Sequence, residues 1–492
     1  MSEETVSMLT PPRCTAPATE TVAVPLCVDL DGTLVLTDTL VEGVLGLVTH
    51  RKLWWCLAGL LSGRAIFKQR VAEAAALDVS LLPLNQDLLA YLHTQKAAGR
   101  TLVLATAANS AVAHAVADHL GLFDEVIASD GHDNLKGAAK AAALVRRFGE
   151  KGFAYAGDSP SDVAIWQKAQ RAILVNTGAR LSTQLRDKLP IEAEFGSQAD
   201  GLRALLQAMR PHQWVKNLLV FVPIFTAHAL TEWAAWSGAL LMFVAFCATA
   251  SGIYLGNDLM DLAADRRHPR KRLRPFARGA LPLQQGVAFA ALLVCLGAIA
   301  GWLAGTPPII LIYAALSMTY SLHLKQQPLA DVFTLAALYT IRLVGGGEAS
   351  GHALSLWLLA FSTFLFLSLA LMKRVQELLA LRVSRIARRG YMAGDEAILQ
   401  MFGCASAFAA SVVLALFVQS ETAMRQYRSP ALLWAIVPVV LFWQCRLWLS
   451  TARGYMRDDP ILYAARDWVS WLVAGLSAVL LVAAQSITLT GL

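Results

Sequence analysis

The sequence predicts two dissimilar parts: an α/β, Rossmann-like domain and, behind it, an all-α integral membrane bundle of about nine transmembrane helices. Three observations point there. Hydrophobic residues make up 56% of the 492 positions and charged residues 16%, with a mean hydropathy of +0.50, whereas a soluble chain carries about 25% charged residues. The deficit is uneven: residues 1–200 read as ordinary soluble protein, and beyond residue 212 long apolar runs follow one another. Near the front, the run VPLCVDLD at 24–31 is apolar until it ends in two acids, as expected of a strand buried on both faces that delivers carboxylates to the edge of a parallel sheet.

Residues 1–22 contain acidic side chains and no apolar stretch of signal-peptide type, so a flexible terminus and a cytoplasmic front domain are expected. That domain is expected over 23–195. Asp29-Leu30-Asp31-Gly32-Thr33-Leu34 places carboxylates at i and i+2 around a strand end, and 101–106 (TLVLAT) and 152–158 (GFAYAGD) are further strand candidates. Thr106 follows the second strand, Lys136 lies in Asn134-Leu135-Lys136-Gly137, and Gly157-Asp158-Ser159 with Asp162 follows the third.

In this order and spacing the set resembles the four motifs of the haloacid dehalogenase (HAD) phosphatase superfamily, across residues 24–190. The resemblance implies that Asp29 is a nucleophile forming an aspartyl-phosphate and Asp31 the acid/base. Thr106 and Lys136 would bind phosphoryl oxygens, and Asp29, Asp158 and Asp162 would hold Mg²⁺. Splitting phosphoester hydrolysis through a carboxylate nucleophile, with cations relieving charge repulsion, is sound chemistry. Residues 38–100 then form a helical cap. Its stretch 43–62, rich in Leu and Trp and carrying Arg51 and Lys52, either packs inside the cap or touches the membrane surface.

A short connector at about 190–212 leads to the bundle, expected over 208–492, whose spans are each near the roughly 20 residues that cross a bilayer. They fall at 215–232, 236–256, 284–304, 308–322, 328–346, 355–372, 398–419, 429–447 and 468–488, the fourth being short. The net charge of +7 sits largely in the alternate loops 257–283, 323–327, 373–397 and 448–467, among them Arg382, Arg385, Arg388 and Arg389. That asymmetry orients the N-terminus inside the cell and argues against nucleic acid as the partner. The seven cysteines form no CxxC pair, which leaves buried, reduced thiols.

Two loops argue against a simple transporter. In the first, Asp258, Asp261 and Asp265 stand at i, i+3 and i+7, so a continuous helix would put all three on one face. Like charges so placed call for a cation, and hard oxygen donors suit Mg²⁺, which readily takes further ligands from phosphates. The basic run Arg266 to Arg274 follows, suited to gripping those phosphates. The second loop runs Tyr320-Ser321-Leu322-His323-Leu324-Lys325, with Asp331 beyond it, and suggests a second half-site.

Asn257-Asp258-x-x-Asp261-x-x-x-Asp265 resembles the first aspartate motif of UbiA-family prenyltransferases, over residues 208–490. The family has nine transmembrane helices and uses Mg²⁺ to hold a diphosphate. Arg210-Pro211-x-Gln213-Trp214-x-Lys216-Asn217, His268-Pro269-x-Lys271-x-x-Arg274-Pro275, Tyr320 to Lys325, Lys373-Arg374-x-x-Glu377, Arg389-Gly390-Tyr391 and Asp459-Pro460 are similar to the decaprenyl-phosphate 5-phosphoribosyltransferase branch. That branch implies attack of a polyprenyl phosphate on C1 of phosphoribosyl diphosphate. Asp258, Asp261 and Asp265 would hold Mg²⁺ on the diphosphate, and Lys216, Asn257, Arg266, Lys271, Arg274, Tyr320, Lys325, Lys373 and Arg374 would bind substrate. Arg210, Lys216, Lys373 and Arg374 could equally be interfacial anchors.

Adjacency of the two parts suggests consecutive reactions, the front domain removing the 5-phosphate to give polyprenylphosphoryl ribose, a pentose donor for the cell envelope. The expected partners are polyprenyl phosphate, phosphoribosyl diphosphate and the inner (cytoplasmic) membrane bilayer, with no nucleic acid; oligomeric state is open. A UbiA aromatic prenyltransferase with a front domain of separate substrate is the alternative, and a transporter with a regulatory front domain is a third.

Overall fold

The computed structural model describes residues 24–48, 50–130, 134–196, 201–381, 390–456 and 459–487; the expected flexible terminus at 1–22 and Arg382, Arg385, Arg388 and Arg389 lie outside them. Two compact units result, one comprising the chain up to Ala208 together with Asp258–Val287, the other Met209–Asn257 with Ala288–Leu492.

The first unit is built on a six-stranded sheet in the order β3-β2-β1-β4-β5-β6, every neighbouring pair parallel. The strands are β1 Leu26–Val28, β2 Leu102–Asn109, β3 Glu125–Ser129, β4 Ala154–Gly157, β5 Arg171–Val175 and β6 Ile191–Phe195. The three strands read from sequence are β1, β2 and β4, at the middle of the sheet. Helices cover both faces, which is why these strands are apolar throughout: one face packs around Leu26, Val28, Leu102 and Leu104, the other around Cys27, Val103, Phe153 and Tyr155.

The insert after β1 contributes α1 Thr39–Leu47, α2 Lys52–Ala58 and α3 Arg64–Ala75, joined by a small core of Leu47, Cys56 and Val71. The expected cap boundary at 100 is too late. Helix α4, Gln86–Ala97, places Leu88 and Leu92 in the main core, because its apolar positions complete the sheet's cover and not the cap's interior.

Among the described residues, six helices are long and apolar enough to cross a membrane: Trp233–Met260, Leu283–Leu303, Leu356–Leu379, Glu396–Val418, Pro430–Ala452 and Trp468–Ser486. Pro307–Leu322 is apolar but shorter. Ala330–Ser350 has the length, and Asp331, Arg342 and Glu348 lower its hydropathy. The expected span 215–232 is corrected: it is a 3₁₀ segment, Pro211–Phe221, followed by the short helix Val222–Thr226. Pro211 and Pro223 each stand at the start of one of these pieces, where a missing N–H is tolerated.

Candidate functional site

In the first unit the carboxyl ends of β1, β2 and β4 converge on a pocket of about 450 Å³ lined by Asp29, Asp31, Thr106, Lys136, Lys140, Asp158 and Asp162. The turn after β1 explains the Asp-x-Asp-Gly-Thr spacing. Gly32 has φ +79°, and a Cβ there would stand 2.4 Å from Asp158 Oδ2, so only glycine lets the two acidic loops touch. Thr33 Oγ1 donates to Asp158 Oδ1 at 3.2 Å. Asp162 closes the β4 loop, its carboxylate accepting from the amides of Asp158 and Ser159, from Ser159 Oγ and from the Tyr155 hydroxyl.

Oxygens of Asp29, Asp158 and Asp162 lie within 4.8 Å of one another. Burial pushes Asp158 up to about 7, with Asp162 and Asp29 adding repulsion, and burial likewise raises Asp29. Three crowded carboxylates, all hard donors and two of them pushed toward the protonated form, fit a divalent cation such as Mg²⁺. Asp31 accepts from the Thr39 amide at 2.9 Å, and burial, with Asp38 nearby, lifts it to about 7. A carboxyl group so poised can both give and take a proton at neutral pH.

The cation facing Asp29 is Lys140, which the motif reading passed over. Its ammonium lies 2.9 Å from Asp29 Oδ1 and also donates to the Tyr155 hydroxyl, in a nearly water-free position. Lys136, the residue expected there, lines the pocket with its side chain exposed. The two lie four residues apart, at and just before the start of the helix Ala138–Phe148, and only the packing of that helix distinguishes them. From the cap, Lys68 reaches the pocket and donates to the Ala107 carbonyl and Asn134 Oδ1.

The acidic loop belongs to the same unit. The expected continuous helix through Asp258, Asp261 and Asp265 is broken: Trp233–Met260 ends, Asp261 caps the next turn, and Leu262–Arg267 begins. Asp258 and Asp265 nevertheless share one side, because Arg274 Nη1 bonds both, at 2.9 and 2.6 Å. Lys271 stands 3.9 Å from Asp265. Among the described residues these three acids do not draw together as Asp29, Asp158 and Asp162 do; a guanidinium stands between two of them.

Arg266 is a correction. It forms a bidentate pair with Glu42 of α1, donates from Nε to the Ala277 carbonyl, and is buried with its partner. Three of its five N–H donors are held by protein acceptors, so in this structure it ties α1 to the acidic loop. Arg267 pairs with Asp78 at 3.0 Å, and Gln284 donates to Asp38 at 2.9 Å.

In the second unit, Lys216 and Lys373 both bond Asp459 Oδ2, at 2.7 and 3.1 Å. Two ammonium groups on one carboxylate leave a positive charge over, which favours an anion. Asn257 donates to Ser321 Oγ at 2.9 Å, tying the aspartate motif's first residue to the second loop. Tyr320 is half-buried in the last turn of Pro307–Leu322, and Lys325 lies in the turn beyond it. Arg374 is the second correction. It is wholly buried against Asp331 at 2.5 Å and against Glu377, with the Tyr391 ring beside it, so it fixes helices and meets no solvent-borne ligand. An apolar groove of about 460 Å³ lies among Leu316, Phe333, Ala337, Ile341 and Leu367.

The UbiA prenyltransferase family matches residues 218–460, and the haloacid dehalogenase-like hydrolases match 26–166. The uncharacterized protein y4nM of Sinorhizobium fredii is 35% identical over 469 residues, covering 92% of this chain and 90% of that one. The chain belongs to the UbiA prenyltransferase family. It is a fused UbiA enzyme, with a HAD-like domain in front of helical membrane segments. Nodulation protein NoeC of Azorhizobium caulinodans is 39% identical over 272 residues, covering 53% of this chain and 86% of NoeC. A decaprenyl-phosphate phosphoribosyltransferase of Corynebacterium glutamicum is 37% identical over 187 residues, covering 37% of this chain and 55% of that protein.

Proposed function

We propose that this UbiA enzyme transfers 5-phosphoribose from phosphoribosyl diphosphate to a polyprenyl phosphate, and that its HAD-like domain then removes the 5-phosphate to give polyprenylphosphoryl ribose. The observation that carries the second step is the pairing of Asp29 with Lys140 beside Asp31, a carboxyl group that burial lifts to about 7 and so can exchange a proton near neutral pH. The first rests on the named phosphoribosyltransferase relative and on the two lysines sharing Asp459.

In the first reaction an oxygen of the lipid phosphate forms a bond to C1 of the ribose while the C1–O bond to diphosphate breaks. Charge builds on the leaving diphosphate and a positive centre on the sugar. Lys271 and Arg274 in the first unit, and Lys216 and Lys373 in the second, are candidates for binding substrate phosphates. Asp258, Asp261 and Asp265 would hold a Mg²⁺ that neutralises the diphosphate, with Arg274 turning from carboxylate to phosphate. The apolar groove accommodates part of a prenyl chain. In the second reaction the Asp29 carboxylate attacks the 5-phosphate, and Asp31 gives its proton to the departing 5-oxygen. Asp31, now ionised, takes a proton from the water that cleaves the aspartyl-phosphate. Lys140 and Thr106 bind the phosphoryl oxygens, while Asp29 and Asp158, with Asp162 behind them, would hold a Mg²⁺ that withdraws charge from phosphorus. The protein is placed in the inner membrane with the HAD-like domain cytoplasmic, following the loop charges.

The test uses solubilised full chain with Mg²⁺, polyprenyl phosphate and ribose-labelled phosphoribosyl diphosphate, following label into lipid by mass spectrometry. Wild type should give ribosyl lipid, Asp29→Asn its 5-phosphorylated form, and Asp261→Asn neither. Absence of labelled lipid from wild type refutes the transfer and turns attention to prenyl diphosphate and an aromatic acceptor.

A further inference from the structure

The stretch 43–62 was open between packing inside the cap and touching a membrane. Packing accounts for only one of its faces. Cys56 is buried, its thiol on the Arg70 carbonyl, and Leu47 and Val71 close over it. On the other side Trp54 is 76% exposed, Leu61 93% and Leu60 51%. Arg51, Trp54, Ala58 and Leu61 follow one another at helical spacing on that side, and all are exposed. Next to them Lys52 is exposed, and Arg70 sets its guanidinium 4.8 Å over the half-exposed Trp55 ring.

We infer that the face of Arg51, Lys52, Trp54 and Leu61 on the cap seats in the headgroup layer of an anionic lipid bilayer. Tryptophan and leucine beside basic residues, on a short amphipathic segment that could not span, is the composition that lies in such an interface. The positive charges select anionic headgroups, and a chain of multi-pass membrane helices has a bilayer always at hand. The face is also continuous with the catalytic pocket. Leu60, half-exposed beside Leu61, is itself a pocket-lining residue with Phe67, Val71 and Leu77, and Lys68 lies among them. An apolar path therefore runs from the proposed lipid contact to the phosphatase acids, which suits a phosphomonoester whose far end is a membrane-held chain and whose linking phosphate meets Lys68. This last step rests on the proposed function; the lipid contact does not.

The experiment places the photo-crosslinking residue benzoylphenylalanine at Leu61, at Trp54 or at Gln184, an exposed position on the helix Ala179–Arg186, in full chain held in phosphatidylglycerol-containing nanodiscs. Irradiation should yield lipid adducts at 61 and 54 and none at 184. No lipid adduct at 61, or an adduct with a second copy or another protein, overturns the inference whatever the phosphatase substrate is. With a lipid-linked phosphomonoester in the bilayer, Trp54→Glu with Leu61→Glu should slow hydrolysis by about tenfold or more while leaving turnover of p-nitrophenyl phosphate little changed. Unchanged rates on both substrates, or an equal fall on both, overturns the path from lipid to pocket even if the adducts form.

Discussion

Replacing Lys140 by methionine tests which lysine serves the proposed phosphatase site. The ammonium sits 2.9 Å from Asp29 Oδ1, with 3% of the lysine side chain and 13% of the aspartate side chain exposed. Methionine keeps most of the volume and removes the charge. Taking one partner from a buried ion pair costs about 3–5 kcal/mol, because the remaining charge is left uncompensated. Here it would be left facing Asp158 and Asp162 as well. If that cost falls on the ionised form of Asp29, the population able to act as the proposed nucleophile drops by about two to four orders of magnitude, at about 1.4 kcal/mol per decade. Turnover of p-nitrophenyl phosphate by full chain should fall accordingly. Lys136→Met, which removes an exposed cation, should lower the rate by no more than about fivefold. A Lys136→Met protein that is inactive beside an active Lys140→Met protein of equal thermal stability would refute the reasoning.

Gly32→Ala should abolish phosphatase turnover, since its Cβ would displace Asp158 and its φ of +79° adds about 1–2 kcal/mol of strain; unaltered turnover would contradict the contact. Glu42→Arg and Arg266→Glu should each lower thermal stability by about 3–5 kcal/mol, and the double exchange should recover part of it; melting curves in detergent decide. Glu192 is held below its ordinary value near 4.5, since the hydrogen bonds and charge of Arg100 and the Tyr91 hydroxyl outweigh the opposing effect of burial. A carboxylate depressed in the folded state stabilises above its unfolded pKa and loses that advantage as pH falls through the folded one. Wild type should therefore melt above Glu192→Gln at pH 6, and the gap should close progressively below about pH 4.5.

The centre of the phosphatase-like site was legible because its acids sit at the ends of strands that are themselves easy to read: Asp29 and Asp31 after β1, Thr106 in β2, Asp158 after β4. Lys140 was not, because two lysines four residues apart, one before the helix Ala138–Phe148 and one within it, are equivalent until that helix is packed in place. Arg266 and Arg374 show the opposite limit. A basic residue next to a motif looks like a substrate ligand, and the carboxylates that claim these two come from elsewhere in the chain, Glu42 in α1 and Asp331 on another helix. The break at Asp261 was hidden because residue spacing assumes an unbroken helix. The first expected span failed for a local reason: Pro223, inside the run, stands where the 3₁₀ segment Pro211–Phe221 gives way to the short helix Val222–Thr226.

The Arg374–Asp331 pair bears on how the protein is made. Both side chains have no exposed surface, and Tyr391 adds its hydroxyl to Asp331 at 2.5 Å. Asp331 stands in the first turn of its helix and Arg374 beyond the end of the expected span, where a lone charge costs less than the roughly 2.5–3.5 kcal/mol it costs at a bilayer's centre, but burial without a partner is still unfavourable. Asp331 is synthesised first, so its helix leaves the ribosome with an acid that only a later helix can neutralise. The two helix ends then stay uncompensated until the later one is made, and pairing them fixes one helix against the other. A lesion at either position would show itself as chains cleared by quality control during insertion, before any enzyme exists to be assayed.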